Sequence, residues 1–160
     1  MRDDGLVGRW SSASLELGAM EAGTIGFRPD GTGWYELANV HSSSVDRFGW
    51  STPGPGRLRL RVLRSLELDW SGAPAPAPRT RPDPAGPHGP LGPRPQLSSD
   101  ERLDSAWESS YRVGTGLDVA GAAVTVLVFD RPFGFDARFA LVSRDVTPGD
   151  DPTERLAPRG

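Results

Sequence analysis

The first third of the chain consists of short apolar-patterned segments separated by turn residues, a pattern that predicts antiparallel β-strands. Pro29-Asp30-Gly31 separates two such segments. A three-residue loop suits this turn, because Pro favours the first turn position and Gly favours the left-handed bulge position. That loop creates one apolar face, which we predict to lie in the core: Ile25, Phe27, Tyr35 and Leu37. A two-residue Asp-Gly loop would instead place Phe27 on one face with Trp34 and Glu36.

The clearest strand signal is the alternation of arginine with leucine or valine from Arg57 to Val62. Strict alternation indicates a half-buried strand. Residues 45–50 form the preceding strand, with Phe48 and Trp50 on one face. The apolar parity of Leu58, Leu60 and Val62 continues at Leu66, Leu68 and Trp70, so we predict that these side chains share the inner face.

Arg64 has the parity of the predicted inner face. In a continuous strand it points inward, where a buried guanidinium needs an anion. A bend at Leu63-Arg64-Ser65 leaves it at the surface, and the sequence keeps both alternatives open. On the opposite parity, Arg57, Arg59 and Arg61 predict an outward face paired with acidic neighbours such as Glu67 and Asp69. A surface that contacts an anion is the alternative for this face.

Residues 72–98 interrupt the strand pattern with nine Pro and four Gly in 27 positions. Such a segment buries too little apolar surface to offset its ordering entropy, which predicts a Pro/Gly-rich insertion or disordered linker. We expect a single domain, 1–160, in which residues 6–71 and 99–146 form the barrel. The Pro-containing tail, 147–160, is expected to be flexible. Residues 98–106 are predicted to hold a helical turn.

Strands in the second half bring the total to about eight, at the short spacing typical of all-β sandwiches and barrels. Trp107 to Val113, Val124 to Phe129 and Phe135 to Val142 are the clearest of them. Closing the sheet also removes its exposed edges. We therefore predict an all-β fold, an antiparallel up-and-down barrel.

Gly8-Arg9-Trp10 at the entry to the first strand resembles the G-x-W signature of lipocalins and the wider calycin group. In that family the Trp packs at the closed end of an eight-stranded barrel, and an Arg after the last strand lies across it. Arg144 is the matching residue here. The segment FRPDGTG, followed by FGW and RLRL, also resembles small lipocalin-like domains of bacterial proteins of unknown function. The resemblance implies that Trp10 and Arg144 form a structural plug.

Composition excludes several functions. The chain has no Cys, and its two His, His41 and His88, have no ligand spacing, so we expect no disulfide, metal or cofactor. All 18 basic residues are Arg, which we attribute to a GC-rich bacterial genome, and the net charge of −3 argues against nucleic acid as a partner. No window approaches the ~18 apolar residues of a membrane span. The N-terminus lacks the apolar run of a secretory signal, which predicts a cytoplasmic protein.

No catalytic residues are predicted, because no nucleophile elbow surrounds His41-Ser42-Ser43-Ser44. The aromatic residues favour an interior wall for a small hydrophobic ligand. The predicted ligand-binding residues are Tyr35, Phe48, Trp50, Arg64 and Trp70. One alternative is a protein-binding accessory or immunity-type protein with a filled barrel. A second is a barrel cyclase or isomerase of a biosynthetic pathway, and the oligomeric state is not predicted.

Overall fold

A computed structural model describes residues 2–70 and 95–156, and its eight strands form one antiparallel sheet that closes into a barrel. The strands are β1 (Gly8–Ser11), β2 (Ala22–Phe27), β3 (Thr32–Ala38), β4 (Ser42–Gly54), β5 (Arg57–Asp69), β6 (Gln96–Leu117), β7 (Ala123–Phe133) and β8 (Asp136–Ser143). Each strand pairs with the next in sequence, and β8 pairs with β1. The predicted all-β, up-and-down barrel of eight strands is confirmed. The described residues contain no helix long and apolar enough to cross a membrane.

The Pro/Gly-rich segment lies between β5 and β6. Residues 71–94 of the chain lie outside the described residues, so the predicted insertion is described only at its end, where β6 begins. The helical turn expected at 98–106 is wrong, because these residues belong to β6. They pair with β5 from Glu67 to Arg61, and this pairing satisfies their backbone groups as a strand.

The hairpin between β2 and β3 has the predicted three-residue loop. Phe27 lies opposite Gly33, and the Arg28 amide donates to the Thr32 carbonyl at 2.9 Å. Gly31 has a φ of 85°, the left-handed conformation that the bulge position requires. The predicted core face is confirmed: Ile25, Phe27 and Tyr35 are buried, and Leu37 packs against the core.

An extra residue in β5, Leu63, exchanges the two faces of this strand. Val62 lies opposite Phe48 of β4, whereas Arg64 lies opposite Arg47, so Leu63 has no partner of its own on β4. The register of β5 with β6 is also irregular between Val62 and Arg64. A β-bulge of this kind places two residues opposite one on the partner strand. Since side chains alternate between faces, one extra residue moves every later side chain to the other face.

The apolar residues after the bulge therefore lie outside the barrel, and their predicted inner position is wrong. Leu66 lies opposite Val45, and Leu68 packs with Val45 and Trp34 in a second apolar cluster. Leu97, Val146 and Leu156 cover this cluster. We call it the outer cluster, and it explains why the alternation of apolar residues continues beyond a change of face.

The described part of the C-terminal segment packs against the barrel. Its described part, up to Leu156, contains two short 3-10 helices, Pro148–Asp150 and Pro152–Arg155. Asp150 pairs with Arg9 at 2.9 Å, and Asp151, only 1% exposed, pairs with Arg47 at 3.2 Å. These two ion pairs, together with apolar contacts to the outer cluster, hold the segment on the outer face of the sheet.

Candidate functional site

Three of the five predicted ligand-binding residues come together inside the barrel. Tyr35, Phe48 and Trp50 belong to the buried interior cluster. Phe133, at the end of β7, contacts Tyr35 with ring centroids 5.3 Å apart and Phe48 with centroids 5.9 Å apart. Phe133 lies at the tip of the β7–β8 hairpin, and Asp136 of the same hairpin bonds to Tyr35, so these contacts join the hairpin tip to β3 and β4.

Further rings continue the packing on both sides of Phe133. Phe27 contacts Trp50 at 5.4 Å, and Trp107 contacts both Phe129 and Phe133 at 5.2 Å, all with edge-to-face geometry. Edge-to-face contacts at these separations are favourable beyond the area they bury. An eight-stranded barrel is just wide enough for side chains to fill it or to hold one small ligand. The described aromatic side chains form a packed cluster in its interior.

The indole nitrogens of this core are satisfied by the backbone. Trp50 Nε1 donates to the carbonyl oxygens of Arg28 and Thr32 at 3.0 and 3.1 Å, and Trp107 Nε1 donates to Pro132 O at 3.1 Å. Among the described residues, the buried side-chain nitrogen without a hydrogen-bond partner is Trp34 Nε1, which lies in the outer cluster. No unpaired indole of the interior cluster is left to orient a bound molecule.

Tyr35 carries a perturbed polar group of the interior. Its hydroxyl donates to Asp136 Oδ2 at 2.8 Å. Burial raises the pKa of the phenol far above its usual value, and the hydrogen bond to Asp136 raises it further. The phenol is therefore a fixed hydrogen-bond donor at neutral pH and not a base. The pKa of Tyr111 is raised by burial and by its hydrogen bond to Asp3.

The other two predicted ligand-binding residues do not join this cluster. Arg64 Nε and Nη2 donate to the two carboxylate oxygens of Asp100 at 2.7 and 2.6 Å, and the Arg64 side chain is 41% exposed. The inward alternative for Arg64 is therefore wrong, and the bulge is the reason. Trp70 is buried on the outer side, where its Nε1 donates to Ser43 Oγ at 3.3 Å.

Trp10 and Arg144 meet at the end of the barrel where the chain enters. Trp10 is fully buried and its Nε1 donates to Leu6 O at 2.9 Å, while the Arg144 guanidinium lies 5.2 Å from the centre of its ring. Arg144 Nη1 also donates to the carbonyl oxygens of Gly5 and Val7, at 2.6 and 3.1 Å. A cation over an indole face at this distance is attracted by the ring. Arg144 thus ties the N-terminal segment to the end of β8.

The arginine stripe of β5 faces outward, as expected, but its acidic partners lie on β6. Arg57 and Arg59 pair with Glu108. Arg61 pairs with Asp104 at 2.7 Å, and this hydrogen bond lowers the pKa of the Asp104 carboxyl. The partners expected from the sequence, Glu67 and Asp69, are wrong. Glu108 lies directly opposite Arg59, and Asp104 lies two residues from Ala106, which is opposite Arg61. Each stripe guanidinium is thus already paired.

A second group of arginines forms an open groove on the outer face. Arg47 of β4, Arg64 of β5 and Arg102 of β6 lie opposite one another in register, in a groove of about 530 Å³. We call this the arginine groove. Its lining residues are Thr32, Gly33, Arg47, Phe48, Leu63, Arg64, Asp100 and Arg102. Sequence analysis did not single out Arg47 and Arg102, because only the bulge aligns them with Arg64.

Two carboxylates partly neutralise the three guanidinium groups of the arginine groove. Asp151 contacts Arg47, and Asp100 forms a two-pronged contact with Arg64. Arg102 is exposed and makes no ion pair or hydrogen bond within residues 2–70 and 95–156. Counting the described side chains alone, the groove therefore holds one more positive than negative charge, and the unpaired guanidinium among them is that of Arg102 on β6.

The described part of the chain has no group of three or more His, Asp or Glu side chains that could hold a metal ion. Arginine is a ligand for carboxylate and phosphate groups, so the chemistry of the arginine groove is anion recognition. Comparison with protein-family models, with curated proteins and with solved structures found no match to this chain.

Proposed function

We propose that this chain is a protein-binding accessory protein whose barrel is filled and whose outer face makes the contacts. The observation that carries the proposal is the contact of Phe133 with Tyr35 and Phe48 across the barrel, at 5.3 and 5.9 Å. Pockets for small molecules enclose about 300 Å³ or more. The described aromatic rings pack against one another in the interior, which supports a filled barrel with binding at the outer surface.

The filled interior also argues against the cyclase or isomerase alternative. Such an enzyme needs a reacting group that a substrate can reach. Tyr35 is 3% exposed, and its hydroxyl is already engaged by Asp136. The raised pKa of this phenol keeps it protonated, so it does not supply a base. An engaged and protonated Tyr35 therefore supports a binding role over catalysis at this position.

We further propose that the barrel is lipocalin-like and that the protein is cytoplasmic. The contact of Arg144 with the face of Trp10, next to the Gly8-x-Trp10 motif, supports the first proposal. Gly8 has a φ of 146°, and a Cβ at this position would stand 2.7 Å from Ser143 O, so the motif needs its glycine. The absence of Cys from the sequence supports the second proposal, because it removes any dependence on an oxidising compartment.

The proposal is tested with an apolar fluorescent probe, N-phenyl-1-naphthylamine. The filled barrel predicts no saturable binding and no rise in Tm, since the probe has no cavity to enter. A one-to-one complex that raises Tm, with shifted NMR signals of the interior aromatic rings, would show a ligand-binding barrel and refute the proposal. Cross-linking to a co-purified partner is the complementary measurement, and its cross-links should lie on outward-facing residues only.

A further inference from the structure

We infer that the arginine groove is a binding site for carboxylate side chains, and that it receives an acidic segment of a partner protein. This inference deepens the proposed function and rests on it. It gives the position of the contact with the partner protein and the chemistry of the bound group, which the proposed function does not specify. The row of Arg47, Arg64 and Arg102 on three neighbouring strands carries the inference.

The first step concerns the electrostatic repulsion among the three arginines of the row. Neighbouring strands lie about 4.8 Å apart, and like charges directly opposite each other destabilise a sheet. Three guanidinium groups side by side therefore need negative charge close to them. Asp151 and Asp100 supply it to Arg47 and Arg64, while Arg102 has none in the described part of the chain. An added anion at Arg102 would relieve the remaining repulsion.

The second step concerns the kind of anion. Both anions already in the row are carboxylates of this chain: Asp100 engages Arg64 through two parallel hydrogen bonds, and Asp151 reaches Arg47 at 3.2 Å. The planar guanidinium matches the two oxygens of a carboxylate in this way. A carboxylate at Arg102 would extend the same pattern by one strand.

The third step concerns what carries the carboxylate. The net charge of the chain is −3, and the groove has an excess of one positive charge, so a polyanion such as nucleic acid is repelled overall. A groove of about 530 Å³ is larger than one carboxylate, and Leu63, 47% exposed, borders it. These features fit a short peptide segment with an acidic residue next to an apolar one.

The test uses NMR signals of the arginine Nε–H groups, assigned for the groove. The probe is the peptide acetyl-Gly-Glu-Leu-Glu-Gly-amide, and the matched peptide carries Gln in place of both Glu. We expect the acidic peptide to shift the Nε–H signals of Arg102 and Arg64 in a saturable way. The Gln peptide should leave them in place, because it offers no carboxylate.

Variants then locate the site. Arg102→Gln should weaken binding of the acidic peptide about tenfold, as expected for one hydrogen bond between charged groups. Arg138→Gln is the matched control: Arg138 is also exposed, has no ion pair in the described part of the chain, and lies on β8. Both variants remove one positive charge, so a difference between them cannot come from net charge. Circular dichroism spectra matching the wild type establish that both fold.

Three outcomes would overturn the inference: equal binding of the Gln peptide, equal weakening by both variants, or tighter binding of inorganic phosphate than of the acidic peptide at the same ionic strength. The last would make the groove a site for phosphate. None of these outcomes bears on whether the barrel is filled, which the apolar probe tests separately. Conversely, binding of the apolar probe would refute the proposed function, and the peptide experiment would still show whether the groove binds carboxylates.

Discussion

At the scale of single residues, Trp10 connects the N-terminal segment with β1 and with the residue that follows β8. Its ring is fully buried, its nitrogen is bound to Leu6 O, and Arg144 covers its face. We expect Trp10→Ala to lower the free energy of unfolding by about 3–5 kcal/mol, because it deletes a large buried ring. Urea denaturation measures this loss. A loss below about 1 kcal/mol would contradict the role of Trp10 as a structural plug.

The two tyrosines provide a pH-dependent prediction at the same scale. The pKa values of Tyr35 and Tyr111 are both raised in the folded protein by burial and by a hydrogen bond to an aspartate, whereas unfolded tyrosines ionise near pH 10. The folded state therefore holds protons that the unfolded state has lost above this pH. Their contribution to stability is complete below about pH 10 and disappears as the pH rises toward the folded-state pKa.

A spectrophotometric titration checks this prediction, and the chain suits it because it contains no Lys and only two Tyr. We expect tyrosinate absorbance to appear only well above pH 10, together with unfolding. Tyr35→Phe should reduce the alkaline loss of stability, since it removes one of the two shifted groups. Ionisation of both tyrosines near pH 10 in a protein that stays folded would disprove the shifted pKa values.

At the scale of elements, the hairpin and β5 show what the sequence could and could not predict. The β2–β3 turn was predictable because its geometry is set by three adjacent residues, Pro29-Asp30-Gly31. The bulge at Leu63 was only one of two open alternatives, a bend or a continuous strand, because no Gly or Pro marks it. The apolar parity continues through it, since Leu66 and Leu68 are covered outside the barrel as fully as Leu58 and Leu60 are inside. Alternation of apolar residues shows that one face of a strand is buried, but it does not show whether that face lies inside or outside the barrel.

The same limit applies to the candidate site. Tyr35, Phe48 and Trp50 were grouped correctly because each lies in a strand whose inner face is set by local pattern. Arg47 and Arg102 come from separate strands, and their alignment with Arg64 depends on a strand register that the bulge shifts by one residue. Register between distant strands is a property of the closed sheet, so the arginine groove could not be derived from residue spacing.

The C-terminal segment is an element whose contribution can be measured by deletion. Truncation after Asp145 removes Val146 and Leu156 from the outer cluster and leaves Trp34 and Val45 uncovered. We expect a lower Tm and a red-shifted tryptophan emission, because apolar surface and a buried indole become exposed to water. A Tm unchanged by the deletion would mean that the segment adds no stability.

At the scale of the whole molecule, the central question is whether the barrel encloses a core or a cavity, and Phe133 decides it. Its ring contacts Tyr35, Phe48 and Trp107 from three other strands and is 5% exposed. The ring is part of the packed interior cluster. Removing it should therefore create a void among its neighbours.

We expect Phe133→Ala to lower the free energy of unfolding by about 3–5 kcal/mol and to create an apolar cavity that binds benzene. The wild type should bind no benzene, since the same volume holds the ring. Phe135→Ala is the matched control, because Phe135 lies two residues away and is 80% exposed, so its loss should cost less than about 1 kcal/mol. Thermal denaturation with and without benzene measures both effects. If benzene stabilised the wild type as much as it stabilised Phe133→Ala, the barrel would be hollow. The proposal that the outer face is the binding surface would then be refuted.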